Sequence, residues 1–126
     1  MLKSNLTKEE VVQKYIDADI LVFGSLFEGF GMPIIEANAV GRAVVTGNCS
    51  AMPEVAGNAA CLVNPLEVES IRSGIMRVIR DDAYRLHLIE NGRINKERFE
   101  AVKIADEYFQ LYKEVYSKNI KPVTIQ

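Results

Sequence analysis

The 126 residues predict an α/β domain: the second half of a doubly wound domain, with a three-stranded parallel sheet flanked by helices and a long C-terminal helix. Three observations carry this. Short apolar runs alternate with segments of helical periodicity, the pattern of a parallel sheet covered by helices. The links between them are short, which, with right-handed crossovers, leaves a βαβαβ half-unit whose strands are ordered as they occur. A glycine-rich loop then joins the first apolar run to a helix opened by Pro33. That is how such sheets build sites for anions and sugar hydroxyls.

Taken in order, Thr7-Lys8-Glu9-Glu10 reads as a capping box, with Thr7 covering the amide three residues on and Glu10 reaching back. A helix follows to about Ile16, with Val11, Val12, Tyr15 and Ile16 facing inward. Asp19 leads into the first strand, 20–23, apolar throughout as if buried on both faces. After the loop 24–32, a helix runs from Pro33 as its first residue to about Val40, with Gly41 beyond its end. The second strand is 43–46, a helical turn covers 53–56, and the third strand, 61–63, stops at Asn64-Pro65. Residues 67–80 form a helix with Val68, Ile71, Ile75, Val78 and Ile79 on one face. Asp81 or Asp82 caps a second that ends at Gly92. A last helix, about 96–118, carries Ala105, Tyr108, Phe109, Tyr112 and Tyr116 as an apolar stripe, and the tail beyond Asn119 is expected to fray. The chain thus divides into an α/β half with the loop (1–66), C-terminal helices (67–118) and a tail (119–126).

Composition excludes several classes. A net charge of −2 and 25% charged residues do not provide the basic face of a general nucleic-acid binder. No apolar run approaches the roughly 20 residues of a membrane helix. The first residues, Met1-Leu2-Lys3-Ser4-Asn5, lack the apolar core of a signal peptide. Cys49 and Cys61 have no metal-ligand spacing and read as reduced core or loop residues, so a cytoplasmic location is expected.

The loop carries the chemistry. Gly29 and Gly31 let the backbone turn tightly and lie close to a ligand. Their amides and those of the following helix end form a nest for phosphate. Glu36, in the first turn or so of that helix, has a carboxylate suited to a vicinal diol such as a ribose. Glu28, at the strand's carboxyl end, is placed for another sugar. Sugar, phosphate and sugar together describe a nucleotide sugar. By spacing alone the two acids read as a helix-dipole partner and a solvated turn residue; the order of strand, glycines, proline and acids favours the site.

The segment Ser25-Leu26-Phe27-Glu28-Gly29-Phe30-Gly31-Met32-Pro33-Ile34-Ile35-Glu36-Ala37 resembles the E-x7-E signature of the C-terminal, nucleotide-sugar-binding domain of family-4-type (group 1) retaining glycosyltransferases, which have the double-Rossmann GT-B fold. The similarity extends to Tyr15-Ile16-Asp17-Ala18-Asp19, Gly41-Arg42-Ala43-Val44-Val45-Thr46, Pro53-Glu54-Val55-Ala56-Gly57 and Val63-Asn64-Pro65. It implies that Glu28 contacts the donor hexose and stabilises the transition state. It also implies that Gly29, Phe30 and Gly31 hold hexose and diphosphate through their amides, with Ser25 and Met32 alongside, and that Glu36 binds the ribose. The donor is then a substrate, and neither a cofactor nor an essential metal is expected. Gly24, Asn38 and Arg42 stand where the family usually has proline, methionine and proline.

The resemblance further implies that an acceptor domain, and the strands bearing the base pocket and the diphosphate-neutralising Arg and Lys, lie outside this sequence, in the rest of a larger enzyme or in a complementary chain. The alternative reading is a non-catalytic nucleotide-sugar-binding or interaction subunit completed by a separate chain. Little transfer is expected from the chain alone, and the complete enzyme is open to peripheral membrane association. The edge of strand 20–23 and the last helix's aromatic stripe predict a homodimer or higher assembly. Asp17-Ala18-Asp19 matches the metal-binding D-x-D of the other glycosyltransferase fold, but it precedes its strand and so falls at the wrong end of the sheet. His87 reads as structural, and Arg72, Arg77 and Arg80 as a solvated helix face.

Overall fold

The computed structural model describes residues 5–119. The elements are α1 (Lys8–Asp17), β1 (Ile20–Phe23), α2 (Met32–Ala39), β2 (Ala43–Gly47), α3 (Met52–Ala56), β3 (Ala60–Val63), α4 (Val68–Arg80), α5 (Asp82–Asn95), a 3-10 turn (Lys96–Phe99) and α6 (Ala101–Asn119). The strands form one parallel sheet in the order β1-β2-β3. Ile20 stands opposite Ala43, and Val44 opposite Ala60. The expected α/β architecture is the observed one.

Successive side chains of a strand point to opposite faces, and β2 uses both. Val44 packs with Ile34, Met52 and Val55 beneath α2 and α3. Val45 packs with Val63, Val78 and Leu88 beneath α4 and α5. Gly74 brings α4 onto β3 so closely that a Cβ there would overlap Val63 Cγ1.

The capping box forms as read: Thr7 N donates to Glu10 Oε2 at 2.8 Å, and Glu10 N to Thr7 Oγ1 at 3.2 Å. Burial corrects three expectations. On α1 only Val11 and Tyr15 turn inward, while Val12 and Ile16 are exposed. On α4, Val68 and Ile79 are exposed, while Val78 is fully buried. β1 is not buried on both faces: as an edge strand it leaves Val22 46% exposed. No strand lies along its other side among the described residues.

Two helix ends also differ. Gly92 does not end α5, because it keeps a negative φ and serves close packing: a Cβ there would stand 2.8 Å from Asn38 Nδ2 of α2. The helix continues to the buried Asn95. The long last helix is broken, since Phe99 folds back against Phe30 and Glu100 is extended (φ −65°, ψ 132°) before α6 starts. Tyr108, Phe109, Tyr112 and Tyr116 on α6 are all more than half exposed. The tail expected to fray and the N-terminal residues 1–4 lie outside the described residues. No described helix is long and apolar enough to cross a membrane.

Candidate functional site at the carboxyl edge of the sheet

Residues 24–31 leave the carboxyl end of β1 and lie against the loop 48–51 that leaves β2. The two strand ends are joined first: Thr46 Oγ1 donates to Phe23 O at 2.8 Å. Gly47 keeps the next step open, since a Cβ there would stand 3.0 Å from Ser25 O.

Glu28 is held at both side chain and backbone. Ser25 Oγ donates to Glu28 Oε1 at 2.8 Å. Glu28 N donates to Ser50 Oγ at 3.2 Å, and Ser50 Oγ donates to Glu28 O at 2.9 Å. Cys49 Sγ approaches Leu26 O at 3.4 Å. The sequence reading identified Ser25 and Glu28 but missed Ser50, whose only sign was its place in a loop leaving the next strand.

Gly31 does what a glycine was expected to do. It precedes α2 at φ 103°, ψ 47°, a conformation that L side chains avoid. A Cβ would also press on Ile34 Cδ1 at 3.3 Å. Gly31→Ala should therefore lower stability by about 1–2 kcal/mol in denaturant unfolding; an unchanged midpoint would show that the backbone does not need this glycine. Gly29 differs. It has no positive φ, and a Cβ there meets nothing within 4 Å, so this backbone alone does not require it.

Met32 is the first residue of α2 and Pro33 the second, one step later than expected. Phe30 meets Phe99 edge-on at 5.3 Å. Phe30 and Met32 then border a cleft of about 610 Å³ against Phe99, Ile104, Tyr108 and Leu111.

Glu36 sits in the second turn of α2, not the first. Its carboxylate is exposed and turned toward α1, where Tyr15 Oη donates to Oε2 at 2.7 Å. Partial burial, then the hydrogen bond to Glu36 and its negative charge, raise the Tyr15 pKa far above the usual phenol value. Tyr15 is therefore a fixed donor. Around this pair lies a second cleft, about 510 Å³, walled by Leu6, Val11, Val12, Ala39 and Val40 with Lys8 at its side. Ser25 and Glu28 thus form one unit, while Glu36 belongs to a neighbouring cleft on the same helix-loop segment.

Other singled-out residues take structural positions. Arg42 donates to Tyr15 O and Ile16 O at 3.2 and 2.7 Å, tying down the end of α1. Asp17 accepts from Gln13 Nε2 within α1. Among the described residues no group of three potential metal ligands gathers. His87 is exposed beside Asn91, and Arg77 stacks on Tyr84 at 3.7 Å.

Comparison with known proteins shows the family of this chain. Residues 2–95 match the family model described as glycosyl transferases group 1. The chain belongs to that family. It is 31% identical over 105 residues to O-antigen chain mannosyltransferase B of Escherichia coli, covering 83% of this chain and 28% of that protein. It is 28% identical over 115 residues to the N,N'-diacetylbacillosaminyl-diphospho-undecaprenol alpha-1,3-N-acetylgalactosaminyltransferase of Campylobacter jejuni, covering 90% and 30%. The sucrose-phosphate synthase of Thermosynechococcus elongatus matches with a TM-score of 0.76 at 26% identity, over 92% of this chain and 30% of that one. The fold is that of GT-B glycosyltransferases. The chain spans less than a third of each of these three relatives.

Proposed function

We propose that these residues are the donor-binding part of a retaining glycosyltransferase that moves a hexosyl-type unit from a nucleotide sugar to a glycan or lipid-linked acceptor. The observation that carries this reading is the Glu28 carboxylate, held by Ser25 at the carboxyl edge of the sheet, in a chain of this family. The relatives' names, a mannosyltransferase of O-antigen chains and an N-acetylgalactosaminyltransferase acting on a diphospho-undecaprenol-linked sugar, support both the hexosyl class and the kind of acceptor.

In the step itself, the bond from the anomeric carbon to the diphosphate oxygen breaks, one to the acceptor hydroxyl oxygen forms on the same face, and the hydroxyl proton passes to the departing diphosphate. The diphosphate leaves with the electron pair. Loop amides and the N-terminal end of α2 favour that negative charge, and basic groups elsewhere in the complete enzyme add to them without an essential metal. Glu28 faces the sugar, where positive character develops. The ribose of the donor enters the cleft beside Glu36, whose carboxylate suits the ribose diol, and the base reaches the pocket in the remainder of the enzyme. Acceptor binding belongs to the remainder of the enzyme. The open edge of β1 and the aromatic face of α6 are surfaces for joining that remainder or a second copy.

The test is Glu36→Gln in the complete enzyme. Loss of a charge-assisted hydrogen bond should raise the donor KM by about tenfold with little change in kcat. A donor KM equal to that of the parent would refute the assignment.

A further inference from the structure

We infer that Ser50 is a positioning residue for Glu28, an inference that rests on the donor-site reading above. β1 ends at Phe23 and α2 begins at Met32, so no regular hydrogen bonding fixes the height of Glu28 above the sheet. Glycines at 24, 29 and 31 loosen the connection further. One hydroxyl takes over that task. Ser50 Oγ accepts from Glu28 N at 3.2 Å and donates to Glu28 O at 2.9 Å, gripping both polar atoms of that residue's backbone. No other side chain bonds the Glu28 backbone among the described residues.

Ser50 itself stands on firm ground. Just before it, Asn48 N donates to Val63 O at 2.8 Å, extending the bonding between β2 and β3. Just after it, α3 begins, with Val55 N bonded to Ala51 O at 3.0 Å. Between these anchors Ser50 adopts φ 55°, a left-handed conformation uncommon outside glycine. The strained residue is the one whose side chain reaches across to the loop, which is where such strain has a use. Ser25 then fixes the carboxylate's direction, and Ser50 fixes the backbone from which it projects. A group that must meet charge at one place in a transition state needs both, because a shift of about 1 Å costs up to 100-fold in rate.

The experiment compares Ser50→Gly with Ser50→Asn. Glycine accepts the left-handed backbone and removes the hydroxyl; asparagine also tolerates that backbone and keeps both a donor and an acceptor on its side chain. Amide exchange is read on the 126-residue chain, with no need for turnover. The Glu28 amide should exchange about tenfold faster in Ser50→Gly than in the parent, and Ser50→Asn should recover part of that protection. In the complete enzyme, Ser50→Gly should lower kcat about tenfold at a nearly unchanged donor KM and melting temperature, with Ser50→Asn recovering part of the loss. Unchanged exchange in Ser50→Gly would overturn the grip. Faster exchange with parental kcat, in an enzyme that Glu28→Gln does impair, would overturn the positioning role and leave the donor-site reading intact. Silence of Glu28→Gln itself would remove both, while exchange would still report the contact.

Discussion

Glu28→Gln in the complete enzyme should lower kcat by about 10²–10³-fold and leave the donor KM within about twofold. Glutamine keeps the shape of the side chain, and its oxygen still accepts from Ser25 Oγ, a bond that is 2.8 Å long to Glu28 Oε1. The backbone grip by Ser50 does not involve the side chain at all. The substitution therefore removes one negative charge and little else. A charge opposite developing positive character matters in the transition state and far less in the bound ground state, so the loss falls on turnover. Steady-state kinetics with varied donor checks this. A kcat within about threefold of the parent would show that Glu28 does not face the reacting sugar.

Much of this was legible in the sequence because the signals were local. The capping box of Thr7 and Glu10, the apolar run 20–23 and the left-handed Gly31 all depend on neighbours within a few residues. The acidic loop was readable for the same reason. What could not be read were contacts between segments distant in the chain. Ser50 grips a residue 22 positions earlier, and Tyr15 meets Glu36 across 21. Nothing in a serine's own surroundings tells which backbone it will reach. Gly92 shows the opposite failure. A glycine near the end of a helical pattern reads as a stop, yet here it is the flat spot where α5 presses on Asn38. Helical period likewise predicted a stripe on α4 but not how wide a face is covered: Val78 is buried while its neighbour Ile79, and Val68 at the start of the helix, are exposed.

Asn95→Leu should destabilise the domain by about 3 kcal/mol, a fall of roughly 10–15 °C in Tm. Asn95 is 6% exposed, and its Nδ2 donates to Asn38 Oδ1 at 3.0 Å and to Val55 O at 2.9 Å. Its Oδ1 accepts from Arg98 Nη1 at 2.8 Å. Leucine makes none of these bonds. It strands the Asn38 side chain, which is 1% exposed and already has Nδ2 without a partner. A buried polar group left unpaired costs about 1–3 kcal/mol, and leucine's added apolar burial offsets only part of two such losses. The same pair locks α5 to α2, the helix that carries Met32 and Glu36. A second substitution separates lost hydrogen bonds from crowding. Asn38→Met, the residue its family resemblance favours at that position, removes the stranded amide, so Asn38→Met/Asn95→Leu should be more stable than Asn95→Leu alone by about 1 kcal/mol. Thermal and denaturant unfolding of the parent, the two single variants and the double variant measure the coupling. A single variant within about 3 °C of the parent would show that the asparagine pair does not sustain this part of the core.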